Sequence, residues 1–333
     1  MSEAKEVVHD LVIIGAGPAA LSAALYTTRE DVETVLYERG VIGGLAAVTD
    51  WVDNYPGFRK GVAGLELADE MRAQAERFGA KVELGEVTKV VDEGEYKRLE
   101  TTDGDVLAKA VLIATGSDYK KIGVPGEKEY YGRGVHYCAT CDGAFYRDKR
   151  LVVVGGGNSA VQEAIFLTRF ATHIDLLVRS DKMRASDVLQ EELKKYTDKI
   201  TVHFNTTTDE IAGEEIDGIN KVTKVIGTDK TKNEKVEIPT DGVFVFVGLL
   251  PNTQFLQDSD IELDELGFVK SEHDLQTSMP GVFVAGDVHS GATMQIAAAT
   301  GEGATAALRI REYLENHSRT QIAHPSDYNG NGK

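Results

Sequence analysis

Short apolar runs that stop at a glycine recur along this chain, and they set the reading of its fold. Val8-His9-Asp10-Leu11-Val12-Ile13-Ile14 is β-branched and nearly all apolar, the pattern of a buried strand in a parallel sheet. Gly15-Ala16-Gly17-Pro18-Ala19-Ala20 follows, then a helical pattern with Leu21, Ala24, Leu25 and Thr28 on one side. A second strand, Thr34-Val35-Leu36-Tyr37, ends in Glu38, 21 positions after Gly17. Strand, glycine turn, helix, strand and terminal acid together form a dinucleotide-binding fingerprint. Gly15 and Gly17 let the backbone approach a pyrophosphate, and the helix opened by Pro18 and Ala19 presents N–H groups and a positive dipole end to it. Glu38 would accept hydrogen bonds from a ribose.

The pattern then repeats. Leu151-Val152-Val153-Val154 reads as a strand, Gly155-Gly156-Gly157-Asn158-Ser159-Ala160 as the turn, Val161 to Phe170 as the helix, and Ile174-Asp175-Leu176-Leu177 as the strand beyond. A shift of 140 positions lays Gly15, Gly17 and Ala20 onto Gly155, Gly157 and Ala160, and lays Glu38 onto Val178. The second unit therefore lacks the acid and carries Arg179 and Arg184 instead. An acid there suits a ribose with free hydroxyls, as in FAD, whereas arginines attract the 2′-phosphate of NADPH. Solvated surface arginines are the alternative reading.

Three more strand-like runs end in glycine: Ala110 to Gly116 (with Thr115), Val243 to Gly248, and Gly281-Val282-Phe283-Val284-Ala285-Gly286-Asp287. Each would bring backbone close to a ligand at the carboxyl end of a parallel strand. Asp287 could hold a hydroxyl chain, or cap a helix. From Met294 to Tyr313, alanine-rich turns predict a helix able to pack tightly beneath a flat ligand, and the tail from His317 reads as frayed.

Composition narrows the class. A length of 333 residues suggests two domains, and 42% hydrophobic content suffices for ordinary cores. A charge of −18 argues against non-specific nucleic-acid binding and fits a solvated surface, with a saline cytoplasm as a second reading. The first residues lack a secretory pattern, and no window approaches the roughly 20 apolar residues of a membrane helix. The expectation is a cytoplasmic protein with no membrane or nucleic-acid partner.

Both cysteines of the chain lie in His136-Tyr137-Cys138-Ala139-Thr140-Cys141-Asp142-Gly143. That spacing allows a redox disulfide or half a zinc site, but the eight histidines offer no paired ligands, so no metal is expected. A dithiol at the start of a helix gains thiolate character from the dipole. Asp142 opposes thiolate formation but can shuttle a proton, with a simple helix cap as the alternative reading. His136 reads as a packing or solvent-facing residue.

These motifs, in this order, resemble the low-molecular-weight thioredoxin reductases of bacteria and archaea over about residues 8 to 315. The carriers are Cys-Ala-Thr-Cys-Asp-Gly before the second glycine turn, Gly-Gly-Gly-Asn-Ser-Ala itself, the late Ala-Gly-Asp, and Asp53-Asn54-Tyr55-Pro56-Gly57-Phe58. Lipoamide dehydrogenase-type reductases carry their cysteines after the first βαβ unit, where Gly43-Gly44-Leu45-Ala46-Ala47 has none.

The resemblance implies an α/β fold of two Rossmann-like, three-layer ββα domains, the second inserted in the first. An FAD domain would span 1–119 with 248–333, and an NAD(P)H domain carrying the dithiol would span 120–247. It implies FAD contacts from Gly15, Gly17, Pro18, Ala19, Glu38, Gly43, Gly44, Asn54, Val87, Thr115, Gly116, Gly286, Asp287, Gln295 and Ile296. NADPH contacts would come from Gly155, Gly157, Asn158, Ser159, Ala160, Arg179 and Arg184. Electrons would pass from NADPH through FAD to Cys138–Cys141 and on to thioredoxin. Cys141 would face the flavin, Cys138 would be the interchange thiol, and Asp142 would handle thiol protons. A homodimer and a swinging nicotinamide domain are also implied.

Two departures matter. The usual His-Arg-Arg-x3-Arg stretch reads Val178-Arg179-Ser180-Asp181-Lys182-Met183-Arg184, leaving NADH or another donor open beside NADPH. Met294 stands where an arginine commonly precedes Gln295. A different disulfide acceptor, or a flavin-binding redox sensor, are the rival readings.

Overall fold

The computed structural model describes residues 7–322 except Asp50, Asp217 and His273. The chain divides into two compact units, 1–118 with 251–333, and 119–250. The tail beyond Ile322 lies outside the described residues.

In the first unit the apolar run forms strand Val8–Ile14, with Leu11, Val12 and Ile13 fully buried. It pairs in parallel with Thr34–Glu38 on one side and Gly104–Ile113 on the other. Lys81–Leu84 extends one edge, and Val282–Val284 pairs in parallel with the end of Gly104–Ile113. The first half of Gly104–Ile113 instead pairs antiparallel with Lys97–Thr101, which pairs with Val87–Asp92. One long strand thus belongs to the parallel sheet at its end and to an antiparallel meander at its start.

Helix Pro18–Thr28 starts with proline at a first-turn position, where its missing N–H costs nothing. Its Ala19, Ala20, Ala23 and Ala24 are buried with Ala299, Ala306 and Ala307 of the long helix Ile296–Ile322. Such small side chains let the helix backbones approach closely. Met294 is not helical but has φ 56°, so that helix begins two residues later than the sequence suggests.

The second unit is built on a five-stranded parallel sheet ordered Ile200–His203, His173–Leu177, Arg150–Val154, Gly242–Val245, Val135–His136. Helix Asn158–Leu167 covers one face through Ala160, Val161, Ala164 and Leu167. The other face carries Val152, Val154, Leu177, Val243 and Val245, which pack with Ile211, Val222, Val225 and Ile238. These last residues belong to a three-stranded antiparallel sheet, Thr206–Ile216, Ile219–Asp229 and Glu234–Pro239. Asp209 ties that sheet together, accepting from Thr207 at 2.7 Å, Thr228 at 2.5 Å and Lys235 at 2.7 Å. Those bonds, with the Lys235 bond foremost, hold its carboxyl down at about 2.

Asp175 is a buried carboxylate within the parallel sheet. His203 Nε2 lies 2.8 Å from it, Arg150 Nη2 3.2 Å and His173 Nε2 3.6 Å. Burial alone would raise its pKa, but the His203 hydrogen bond and the charges of His173, His203 and Arg150 outweigh burial and leave it lowered. The stability it contributes is therefore present above the ordinary carboxylate value and drains away as pH falls through the lowered one. Asp175→Asn is expected to lose about 1–3 kcal/mol at pH 7, the scale of a broken charged hydrogen bond. Urea midpoints should show that loss shrinking in acid below about pH 4.

Candidate functional site: two nucleotide sites and a dithiol

The first glycine turn sits at the carboxyl end of strand Val8–Ile14. Gly15 has φ 103°, and a Cβ there would lie 2.5 Å from the Ala114 carbonyl oxygen. Only glycine fits this approach. A Cβ on Gly17 would meet nothing within 4 Å, so space lies open over the start of helix Pro18–Thr28. Glu38 reaches back into the turn, its Oε2 accepting from Ala16 N at 2.8 Å and its Oε1 from Gly40 N at 2.7 Å. Each oxygen keeps a further lone pair for a ribose hydroxyl.

A cavity of about 280 Å³ is lined by Gly15, Glu38, Val87 and Thr115, together with Arg39, Glu86, Asn252 and Gln254. Arg39, Asn252 and Gln254 are absent from the residues expected from sequence. Asn252 donates to the Thr115 carbonyl at 3.0 Å and accepts from Arg39 at 3.0 Å. Arg39, a cation directly after Glu38, is the one local signal for this part of the wall.

Other expected flavin residues are also brought together. Gly43 N donates to Ala16 O at 2.8 Å, and Gly44 lies against Gly17, at 3.7 Å from its would-be Cβ. Gly116 has φ 67° with open space beside it. A Cβ on Gly286 would meet Ala19 Cβ at 2.9 Å, placing the late glycine turn over the first. Asn54 donates to Gln295 Oε1 at 3.0 Å, joining segments 241 residues apart, and Ile296 packs beside Val52, Val62 and Leu67. No helix starts at Asp287, so it caps none. Burial, reinforced by the Glu302 charge, pushes its carboxyl up to about 6.

In the second unit Arg179 and Arg184 line a cavity of about 500 Å³ with Gly155, Gly156, Ser180 and Thr206 to Thr208. Lys120 and Lys121 add two cations to the wall that sequence reasoning did not assign. Arg184 N donates to Gly156 O at 2.7 Å, and Asn158 Oδ1 accepts from Ser186 N at 2.8 Å, so the arginine loop is pinned to the glycine turn. Gly157 faces open space as Gly17 does, Ser159 is exposed and Ala160 is buried under the sheet. Thr208 Oγ1 is buried without a hydrogen-bond partner in this wall, a polar atom suited to a ligand group. The cationic cavity fits a phosphorylated nucleotide, and the acidic one fits an unphosphorylated adenosine.

Cys138 and Cys141 are joined as a disulfide, with Cα atoms 5.3 Å apart. The helix that follows is a single turn, Ala139–Asp142, continuing as a 3-10 turn Gly143–Tyr146. Its dipole is correspondingly small, and the dipole argument from sequence gives way to a direct contact. Cys141 N donates to Cys138 Sγ at 3.2 Å. A donor on this sulfur favours its thiolate once the bond is reduced.

Tyr137, just before the dithiol, donates to buried Glu127 at 2.7 Å. Glu127 also accepts from Ile122 N and Gly123 N, and Lys121 Nζ sits 3.7 Å over the Tyr137 ring. Burial, then the Glu127 bond and charge, push the Tyr137 phenol well above its ordinary value. Asp142 does not stand alone: His136 Nδ1 lies 3.1 Å from its Oδ2. Among the described residues no group of three or more His, Cys, Asp or Glu could hold a metal, and no helix is long and apolar enough to cross a membrane.

Two glycine-turn nucleotide sites of opposite charge, with a dithiol on the second unit, define a flavin- and nicotinamide-dependent disulfide oxidoreductase. Residues 9–303 match the pyridine nucleotide-disulphide oxidoreductase family. A thioredoxin reductase of Bacillus subtilis is 43% identical over 320 residues, 96% of this chain and 98% of that protein. One from Treponema pallidum is 38% identical, covering 93% and 98%. The crystal structure of thioredoxin reductase from Streptococcus pyogenes superimposes with TM-score 0.87 at 40% identity, over 94% of this chain and 100% of that one. The chain belongs to the pyridine nucleotide-disulphide oxidoreductases and, within them, to the low-molecular-weight, FAD-dependent thioredoxin reductases.

Proposed function

We propose that this protein reduces the disulfide of thioredoxin with electrons from NADPH, using FAD and its own Cys138–Cys141 disulfide as carriers. A closed dithiol on the unit that carries the cationic cavity, with a second glycine-turn cavity of unlike charge on the other unit, carries this reading, supported by thioredoxin reductases similar across nearly the whole chain. When bound, FAD supplies two-electron exchange between a nicotinamide and a disulfide. Gly15, Gly17, Pro18, Ala19, Gly43, Gly44, Gly116 and Gly286 shape its bed. Glu38, Val87, Thr115, Asn54, Asp287, Gln295 and Ile296 line or brace it. Gly155, Gly157, Asn158, Ser159 and Ala160 form the nicotinamide nucleotide turn, with Arg179 and Arg184 at the phosphate. The first unit serves as the FAD domain and the second as the NADPH domain.

Two electrons and two protons open Cys138–Cys141 to the dithiol. The Cys138 thiolate then attacks one sulfur of the thioredoxin disulfide, and the other leaves as a thiolate. Cys141 attacks the mixed disulfide at Cys138, re-forming the internal bond and releasing reduced thioredoxin. Asp142 takes up and returns the thiol protons. A homodimer in the cytoplasm, where NADPH and reduced thiols are kept, completes the proposal.

Steady-state reduction of a purified bacterial thioredoxin, with NADPH and NADH side by side, tests it. No turnover with either donor would sink the reductase reading. Exchanging Arg179 and Arg184 together for glutamine should raise KM for NADPH about 10–100-fold, the loss of roughly 1.5–3 kcal/mol of charged hydrogen bonding. KM for NADH should hardly move. Equal effects on both donors would remove the two arginines from the 2′-phosphate.

A further inference from the structure

The contact between His136 and Asp142 adds a residue to this chemistry, and the reasoning rests on the proton role just given to Asp142. His136 ends strand Val135–His136, which pairs with Gly242–Val245, so that His136 stands opposite Phe244. The imidazole is buried at 6% exposure and stacks on Phe244 with ring centroids 5.2 Å apart. Tyr146 meets it edge-on at 5.3 Å, with the phenol oxygen 2.7 Å from Nε2. Gly242 leaves the room for this ring, because a Cβ there would run into Tyr146. Nε2 is thus hydrogen-bonded to a phenol, and Nδ1 stands in ion-pair range of a carboxylate.

The tautomer follows from the partners. A phenol that donates to Nε2 leaves the ring hydrogen of a neutral imidazole on Nδ1, the nitrogen nearer the Asp142 carboxylate. Burial, then the charges of Asp142 and Asp241, push the Tyr146 phenol above its ordinary value, which keeps it a donor. Asp241 is a further charged group acting on Tyr146, held by Arg150 N at 2.9 Å and facing Lys149 Nζ at 3.6 Å. The helix packed against the dithiol turn, Asn158–Leu167, contributes Glu163, whose carboxyl burial pushes up.

We propose that His136 is a positioning residue for Asp142: locked from behind by Tyr146 and Phe244, its Nδ1–H orients the carboxylate that exchanges protons with the dithiol. The proton moves between a cysteine sulfur and Asp142, an S–H bond breaking as an O–H bond forms. His136 and Tyr146 keep their own hydrogens and hold the acceptor in place.

The test uses the flavin-loaded protein with NADPH and a bacterial thioredoxin. His136→Phe should lower kcat about 10–100-fold, within or below the hundredfold to ten-thousandfold that a general acid–base group supplies. Bleaching of the flavin by NADPH in the absence of thioredoxin should keep its first-phase rate. His136→Gln, which retains an N–H donor, should recover most of the loss, and Tyr146→Phe should show a smaller loss in the same direction. In an Asp142→Asn background, His136→Phe should cost nothing further, because the two act as one unit. If Asp142→Asn is slow but His136→Phe runs at the wild-type rate, or if the two losses multiply, the positioning role is wrong. If Asp142→Asn itself is fully active, the proton role of Asp142 fails, and this inference with it.

Discussion

Thioredoxin turnover is expected to fall by about a thousandfold or more in Cys138→Ser, the scale on which enzymes lose an attacking nucleophile. NADPH should still bleach the flavin of that variant, because the proposed nicotinamide and flavin sites are built from other residues. The reciprocal Cys141→Ser leaves Cys138 free to attack but gives it no resolving thiol. With a thioredoxin whose second cysteine is replaced by serine and whose first carries an aromatic thiol in disulfide linkage, Cys138 should displace that aromatic thiol and keep a covalent adduct, visible on a non-reducing gel and absent from Cys138→Ser. The asymmetry has a structural basis in the Cys141 N–H donated to Cys138 Sγ, which favours charge on the Cys138 sulfur. Adduct formation by Cys138→Ser in place of Cys141→Ser would reverse the two roles.

The second large effect concerns the first glycine turn. Gly15→Val should yield colourless, poorly folded protein. Its φ of 103° disfavours any side chain by about 1–2 kcal/mol, and the close Ala114 carbonyl adds an overlap costing about 1–3 kcal/mol more. Gly17→Ala separates folding from binding. Its backbone, φ −78° and ψ −177°, accepts alanine, and no atom lies within 4 Å of the added carbon. That protein should fold with wild-type circular dichroism yet purify with little flavin colour, because the methyl group enters the space left for a pyrophosphate. Full flavin content in Gly17→Ala would remove this turn from the FAD site.

Both glycine turns were legible because their signal is local. A strand, its turn and the next helix lie within some thirty residues, and the backbone requirement shows directly as glycine. The same holds for the dithiol and for Glu38 against Val178. What escaped depends on distant pairing. His136 meets Asp142 and Tyr146 because its strand stops beside Phe244, more than a hundred residues away. Asn252 and Arg39 join the Thr115 wall in the same non-local way. The antiparallel sheet over 206–239 leaves no strand pattern in the sequence. Its one buried face is interrupted by register shifts at Thr208/Glu210 and Ala212/Gly213, which break the alternation a strand pattern needs. The helix expected to start at the dithiol is a single turn, since regular α structure stops at Asp142.

The strand Val282–Val284 has a consequence for how the molecule is made. It pairs with Val111 to Ile113, and the helix after it supplies the alanines that cover Pro18–Thr28. On the ribosome, the first unit therefore emerges with a missing strand and an uncovered helix. The ribosome must add 164 residues, counted from Asp118 to Val282, before the missing strand appears. At about 5–20 residues per second that wait is roughly 8–33 s. The second unit, continuous from 119 to 250, can close within that interval. Vectorial synthesis thus gives the dithiol-bearing unit its native sheet first, and leaves the first unit as the part most in need of protection from aggregation.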